Sequence, residues 1–360
     1  MRRGILSGED RRQSHLKDNQ KKEEIIMKST LFITGAAGFI GHETCKEAVK
    51  AGWQVTALVH SVKSAETLRE IGARPVVGDV HQPLAWIAEA QDATAFIDLV
   101  QPKLPKHLGQ KEIEAMSAER LDMTRSMLDA LRGLPADKRP LFIAVSGADD
   151  LQPDAQNVIR HDSALRAQPR GFGHIGIPIR KLIEASGLDA TYVYFGNLVY
   201  GPGKVFAEQY VAGLKHGTAH VIGNGKNRLP MVHVTDAARA LVHLATLAQA
   251  NTKVDGMAAL AVTDVVGRTF LAMDGADTTQ RMLLDATADA MGVKRPGSVP
   301  AWLAARVAGS IGVETMTLDV HADNSALLKT DFYFTYPSYR EGVPATLAHM
   351  GYTSVEASVT

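Results

Sequence analysis

The chain's 360 residues, 45% hydrophobic and 22% charged, suffice to bury a large core as one big domain or two. Lys plus Arg and Asp plus Glu both total 39, so the formal charge is zero and no polyanionic partner such as nucleic acid is implied. No apolar run reaches the ~18 residues of a membrane-spanning helix, and the single cysteine, Cys45, cannot form an internal disulfide, so a soluble cytoplasmic protein without membrane contact is expected.

Residues 1–26 mix charges of both signs with no apolar segment, which excludes a signal peptide and reads as a disordered leader ahead of an ordinary start at Met27. From there short apolar runs alternate with helical stretches, the pattern of an α/β fold whose parallel sheet is covered on both faces. Strands are predicted at Leu31–Thr34, Gln54–Val59, Arg74–Gly78, Ala95–Leu99, Leu141–Val145 and Ala190–Phe195, with helices between them. In such a sheet, ligands bind at the carboxyl ends of the strands.

The first strand runs into Gly35-Ala36-Ala37-Gly38-Phe39-Ile40-Gly41, glycines at three-residue spacing ahead of an amphipathic helix from Glu43 to Lys50. Gly35 permits a sharp turn, Gly38 lets a dinucleotide pyrophosphate approach the backbone, and Gly41 lets the helix pack close to the strand. The helix start then favours the anion. The second strand ends in His60-Ser61-Val62-Lys63 with no carboxylate for an adenosine ribose. His60, Ser61 and Lys63 suit a 2′-phosphate, so NADP is expected, with NAD as the alternative. After the third strand, Asp79 is either an acceptor for the adenine amino group or a turn residue; both readings stay open. Residues 27–200 are thus expected to form a dinucleotide-binding domain whose core continues near 228–245, and most of 201–360 a smaller lobe.

Further segments stand in order along the chain: Gly78-Asp79-Val80, Val199-Tyr200-Gly201-Pro202-Gly203, Met231-Val232-His233-Val234-Thr235-Asp236-Ala237-Ala238, Val299-Pro300-Ala301-Trp302-Leu303-Ala304 and Tyr336-Pro337-Ser338-Tyr339-Arg340-Glu341-Gly342. In these and the glycine motif, the chain resembles the extended short-chain dehydrogenase/reductase family, the NAD-dependent epimerase/dehydratase relatives. The resemblance implies a Rossmann-type doubly wound parallel sheet and a smaller C-terminal lobe that closes over a small-molecule substrate. Cofactor contacts are expected from Gly35, Ala37, Gly38, Phe39, Ile40, Gly41, His60, Lys63, Asp79, Val80, Leu99, Val100, Ser146, Gly196 and Asn197.

The family's chemistry rests on a Tyr and a Lys at i and i+4 of one helix, with a Ser or Thr at the end of a central strand. Tyrosine passes a proton to or from substrate oxygen, lysine lowers its pKa and holds the ribose, and the hydroxyl orients the oxygen. Here the strand Leu141–Val145 ends in Ser146-Gly147, with Gly147 at the usual hydroxyl position, and no tyrosine occurs between Gly147 and Ala190. Counting forward puts Phe172 and Gly176 at the Tyr and Lys positions, whereas anchoring on the nearby lysine gives Ile177 and Lys181. Gly173, Gly176 and Pro178 predict a helix that begins only near Pro178. Tyr200 and Lys204 have the right spacing, but Gly201-Pro202-Gly203 between them forbids a helical turn. Arg120 stands where the family usually has asparagine.

Of His107, His161 and His174 on the catalytic side, His174 is the best replacement acid. Ser146, His174 and Lys181 are the candidate catalytic residues, and no metal site is expected because no His or Cys pair has a second pair beside it. His233 and Asp236 read as lobe-joining residues. Three functions stay open: an NAD(P)-dependent oxidoreductase or epimerase/dehydratase-like enzyme with a non-standard proton donor, an inactive NAD(P)-binding sensor or scaffold, and a non-redox isomerase or lyase. A homodimer is the one protein partner considered.

Overall fold

The computed structural model describes residues 29–252 and 264–352, and the expected leader, 1–26, lies outside the described residues. Seven strands, β1 (Thr30–Thr34), β2 (Gln54–Val59), β3 (Arg74–Val77), β4 (Ala95–Asp98), β5 (Leu141–Gly147), β6 (Ala190–Phe195) and β7 (Thr269–Ala272), form one sheet in the order β7-β6-β5-β4-β1-β2-β3. Every ladder is parallel. The strands are apolar on both sides because both faces are covered. In β1, Leu31 and Ile33 enter one core while Phe32 enters the other, as the two-residue period of a strand requires.

Helices α1 (Phe39–Lys50), α2 (Val62–Glu70), α3 (Gln110–Arg132), α4 (Gly173–Ser186) and α5 (Val234–Thr252) supply the layers. Ala48 of α1 and Leu241 of α5 join the core on the face of Leu31, whereas Met127 of α3 and Ile183 of α4 join that of Phe32. On the latter face the register puts Phe32 beside Phe96 and Phe96 beside Phe142. Their rings stack at 5.1 and 5.5 Å, and Trp86 stacks on Phe32 at 5.4 Å. Each such pair contributes about 0.5–1.5 kcal/mol beyond its burial. Cys45 is fully buried and its thiol is pushed up to about 12 by that burial, which leaves it unreactive.

Two elements differ from the sequence reading. The sheet has a seventh strand, Thr269–Ala272, contributed from within the stretch expected to belong mostly to the lobe. Helix α4 begins at Gly173, five residues before Pro178. Proline removes the donor that would satisfy the carbonyl of His174 four residues earlier. The Ser117 hydroxyl of α3 donates to that carbonyl at 2.8 Å, so the helix passes through the proline without an orphaned acceptor.

A third apolar cluster, with Tyr200, Phe206, Tyr210, Leu283, Leu284 and Leu347 in it, stands apart from the two that flank the sheet. The Tyr200 hydroxyl donates to the Ser338 carbonyl at 3.3 Å within it. Asp236, fully buried, accepts from the backbone N–H groups of Thr335 and Tyr336, both at 2.8 Å, and His233 Nε2 lies 3.1 Å from Thr346 Oγ1. These bonds join the start of α5 to the C-terminal segment.

Candidate functional site

Because the strands are parallel, their carboxyl ends share one edge, and the order of the sheet reverses between β1 and β4. The glycine turn lies at that reversal. Gly35 has φ +66°, and a Cβ there would lie 2.5 Å from the Leu99 carbonyl carbon and 2.8 Å from Val100 N. A Cβ on Gly41 would lie 2.2 Å from the Gly35 carbonyl oxygen. Gly38 caps α1 without a side-chain bond, and no acidic residue occupies the first turn. This open, anion-favouring helix start fits a dinucleotide pyrophosphate. Ala37, Gly38 and Phe39 open on a groove of about 850 Å³ between α1 and the C-terminal segment, whereas Ile40 lines a separate cavity of about 300 Å³ described below.

On the β2 side, His60 and Lys63 are exposed, and Ser61 caps α2 by accepting from Ser64 N at 3.2 Å. Asp79 accepts from His81 N at 2.9 Å, so one carboxylate oxygen holds its own turn, and Val80 packs against the Phe32 core.

Beneath the β4 end lies an ion pair that the sequence reading had seen only as a family departure. Arg120 Nη2 is 2.6 Å from Asp98 Oδ2, with the two side chains 4% and 2% exposed. Thr34 Oγ1 donates to Asp98 Oδ1 at 2.7 Å, and Arg120 Nη1 donates to Thr124 Oγ1 at 2.7 Å. A single bonded unit therefore ties β1, β4 and α3 together under the crevice.

The 300 Å³ cavity sits beyond the ends of β5 and β6. Ser146, Gly147, Phe172, Gly176, Gly196 and Asn197 line it, as do Ile40 and Arg120. Asp149 accepts from Phe172 N at 2.8 Å, from Thr315 Oγ1 at 2.9 Å, and from Asn197 Nδ2. It thus fastens the start of α4, the β6 end and a C-terminal helix around the cavity, although burial still holds its carboxyl above the usual range. Asp150 is fully buried behind Ser146, whose hydroxyl donates to Asp150 Oδ2 at 2.6 Å. Burial, with the Asp149 charge adding to it, pushes Asp150 up to about 8 against the opposing hydrogen bond from Ser146.

Of the two competing registers, Phe172 and Gly176 face this cavity. A Cβ on Gly176 would stand 2.2 and 2.3 Å from the Asp150 carboxylate oxygens and 2.3 Å from Ser146 Oγ. Lys181 is exposed, His174 is half-buried, and neither lines the cavity. His107 and His161 are exposed. Asp149, Asp150 and the Arg120–Asp98 pair were missed; the adjacent carboxylates after the β5 strand were the available signal. Among the described residues, no group of three or more His, Cys, Asp and Glu could hold a metal ion, and no helix is long and apolar enough to cross a membrane.

Residues 31–255 match the profile of the NAD dependent epimerase/dehydratase family. The uncharacterized protein C2A9.02 of Schizosaccharomyces pombe is 30% identical over 220 residues, 59% of this chain and 69% of that protein. The fold is similar to human epimerase family protein SDR39U1, solved with NADPH, at TM-score 0.70 and 16% identity over 89% of this chain and 99% of the other. It is similar also to UDP-glucuronic acid 4-epimerase of Bacillus cereus, solved with a fluorinated UDP-glucuronic acid analogue and NAD, at TM-score 0.69 and 15% identity with the same coverage. With well over half of its length matched by one family and that family's glycine turn at the reversal of the sheet, the chain belongs to the NAD-dependent epimerase/dehydratase family.

Proposed function

We propose that the protein is an NAD(P)-dependent oxidoreductase or epimerase/dehydratase-like enzyme that acts on a small carbonyl or hydroxyl compound, with Ser146 at the reacting oxygen in place of the missing tyrosine. The observation that carries this reading is the cavity itself: Ser146 opens into it from the end of β5, on the same strand-end edge as the glycine turn. When bound, the nicotinamide supplies or accepts hydride. The chain's own part is to hold the substrate oxygen at Ser146 and to keep water out with Ile40, Pro102, Met116, Ile175 and Ile179. Among the described residues of the lining the one cationic side chain, Arg120, is already paired with Asp98, so the walls suit an apolar carbonyl compound. Lys181 and His174, outside the lining, are left without this role.

Ser146→Ala is expected to lower kcat by about 10²–10⁴, the usual range for a proton-handling group, with dinucleotide affinity kept. Turnover within threefold of the parent removes Ser146 from the role. A parent that retains dinucleotide, seen by mass spectrometry of the purified protein, yet converts no sugar, steroid, aldehyde or ketone instead favours binding without turnover, which the empty Tyr and Lys positions also suit.

NADP is the proposed cofactor, supported by His60 at the β2 end and by a first turn of α2 without acidic residues. The double variant His60→Ala/Lys63→Ala is expected to weaken NADPH binding about tenfold, the equivalent of one charge-assisted contact, and NADH little. Isothermal titration giving equal losses would point to NAD.

A further inference from the structure

The Asp150 carboxyl differs from every other buried acid near the cavity in having so few partners. Its neighbour Asp149 collects donors from a backbone N–H, a threonine and an asparagine. Asp150 receives one side-chain donor, Ser146, and its Oδ1 has no hydrogen-bond partner among the described residues. An acid kept only for structure is normally satisfied. The surroundings also make room for it, since a side chain at position 176 would overlap both carboxylate oxygens. A side chain at position 176, where the forward count puts the family's lysine, and the carboxyl at position 150 would thus occupy one volume, against the Ser146 hydroxyl that lines the cavity.

We propose that Asp150 is a positioning residue that acts through Ser146, storing the proton that Ser146 exchanges with substrate oxygen and so replacing the missing phenol and ammonium pair. The inference rests on the reading of the Ser146 cavity as the reaction site. In the oxidising direction the substrate hydroxyl proton passes to Ser146 Oγ as Ser146's own proton passes to Asp150 Oδ2, along the hydrogen bond present in the structure. The C–H pair leaves as hydride to the oxidised nicotinamide, the carbon–oxygen double bond forms, and Asp150 ends as the neutral acid. Reduction runs the other way: hydride from the reduced nicotinamide makes the C–H bond, the carbonyl π pair moves to oxygen, and the proton returns from Asp150 through Ser146. Between turnovers the proton leaves Asp150 by the same route, through Ser146, to water that enters the emptied cavity.

The protonation state needed for this lies near neutrality. Burial is the main cause that brings the carboxyl up to about 8, opposed by the Ser146 donor; Asp149 beside it adds to the rise, Arg180 from α4 and Arg166 work against it, and Tyr194 flanks Ser146 on β6. Reduction needs the acid form and falls as pH rises through about 8, whereas oxidation needs the carboxylate and rises there. The same group makes stability fall with pH: the folded state holds a proton that the unfolded chain releases at the ordinary carboxylate value, so stability is greatest below that value and is lost up to about pH 8.

The test compares the full chain with Asp150→Asn, which keeps shape and an acceptor for Ser146, and with Ser146→Ala. Infrared difference spectra and thermal melts across pH should show, in the parent, a carboxylic acid that ionises near pH 8 and a melting temperature that declines up to that pH. In Asp150→Asn the signal of that acid should be gone and the decline in melting temperature smaller, what remains belonging to the buried acids Asp149 and Asp274, the latter raised to about 7 by burial. In Ser146→Ala the ionisation should move upward because the stabilising donor is gone. With NADPH and 4-nitrobenzaldehyde as carbonyl probe, the parent's rate should break near pH 8 and the Asn variant's rate should be at least tenfold lower without that break. An acid that titrates identically in parent and Asp150→Asn, or is unmoved by Ser146→Ala, overturns the proposal, as does a break that persists in Asp150→Asn. Full activity in Ser146→Ala instead overturns the reaction-site reading, whatever Asp150's titration shows.

Discussion

Installing a lysine where the forward count puts the family's, as Gly176→Lys, is expected to leave little folded protein. The new Cβ alone would stand 2.2 Å from the Asp150 carboxyl and 2.3 Å from Ser146 Oγ, in a helix pinned on one side by Asp149 and on the other by Ser117. Overpacking of a filled interior costs about 1–3 kcal/mol, and here the displaced group is a buried acid with no other place to go. Even Gly176→Ala should lower the melting temperature by several degrees, since ~1 kcal/mol corresponds to a few degrees in a chain of this size. Combining Gly176→Lys and Phe172→Tyr with Asp150→Gly removes the overlap and should recover folded protein. A Gly176→Ala variant that melts with the parent would show that the helix can draw back from β5, against the geometry described.

The second large effect is expected from Arg120→Met. It leaves the Asp98 carboxylate buried with its main counter-charge gone, a change that typically costs about 3–5 kcal/mol, against total stabilities of about 5–15 kcal/mol. Urea denaturation should show a much lower midpoint. The double variant Arg120→Met/Asp98→Leu should recover much of the loss, because the penalty belongs to the unpaired charge rather than to the pair. A single-variant loss under 1 kcal/mol would mean that water or another group reaches Asp98.

What the sequence disclosed was the local part. The glycine turn, the strand before it and the helix after it are adjacent in the chain, and six of the seven sheet strands follow one another with helical stretches between them. The seventh, Thr269–Ala272, is as short as β3 and β4 but stands far along the chain from the other strands and is placed by pairing with β6. In the sequence Gly173 and Gly176 read as helix breakers, yet lacking a Cβ is what lets α4 press on Asp149 and Asp150. Lys181, close to Gly176 in the chain, lies five positions after it, roughly 140° around the helix, and is exposed. The pairs Asp98 with Arg120 and Asp149 with Thr315 span 22 and 166 positions, so nothing local announces them.

Strand β7 also bears on how the chain comes into being. It is the last of the sheet's strands to be synthesised, and residues 196–268 lie between it and its neighbour β6. Until Thr269 has left the ribosome, Ala190–Phe195 carries an unpaired, apolar edge, the kind that recruits strands from other chains. Pairing across so long a separation is also slow, because loop closure must come first. The hazard of aggregation is therefore concentrated in the later part of translation, in a protein whose finished sheet no longer exposes that edge.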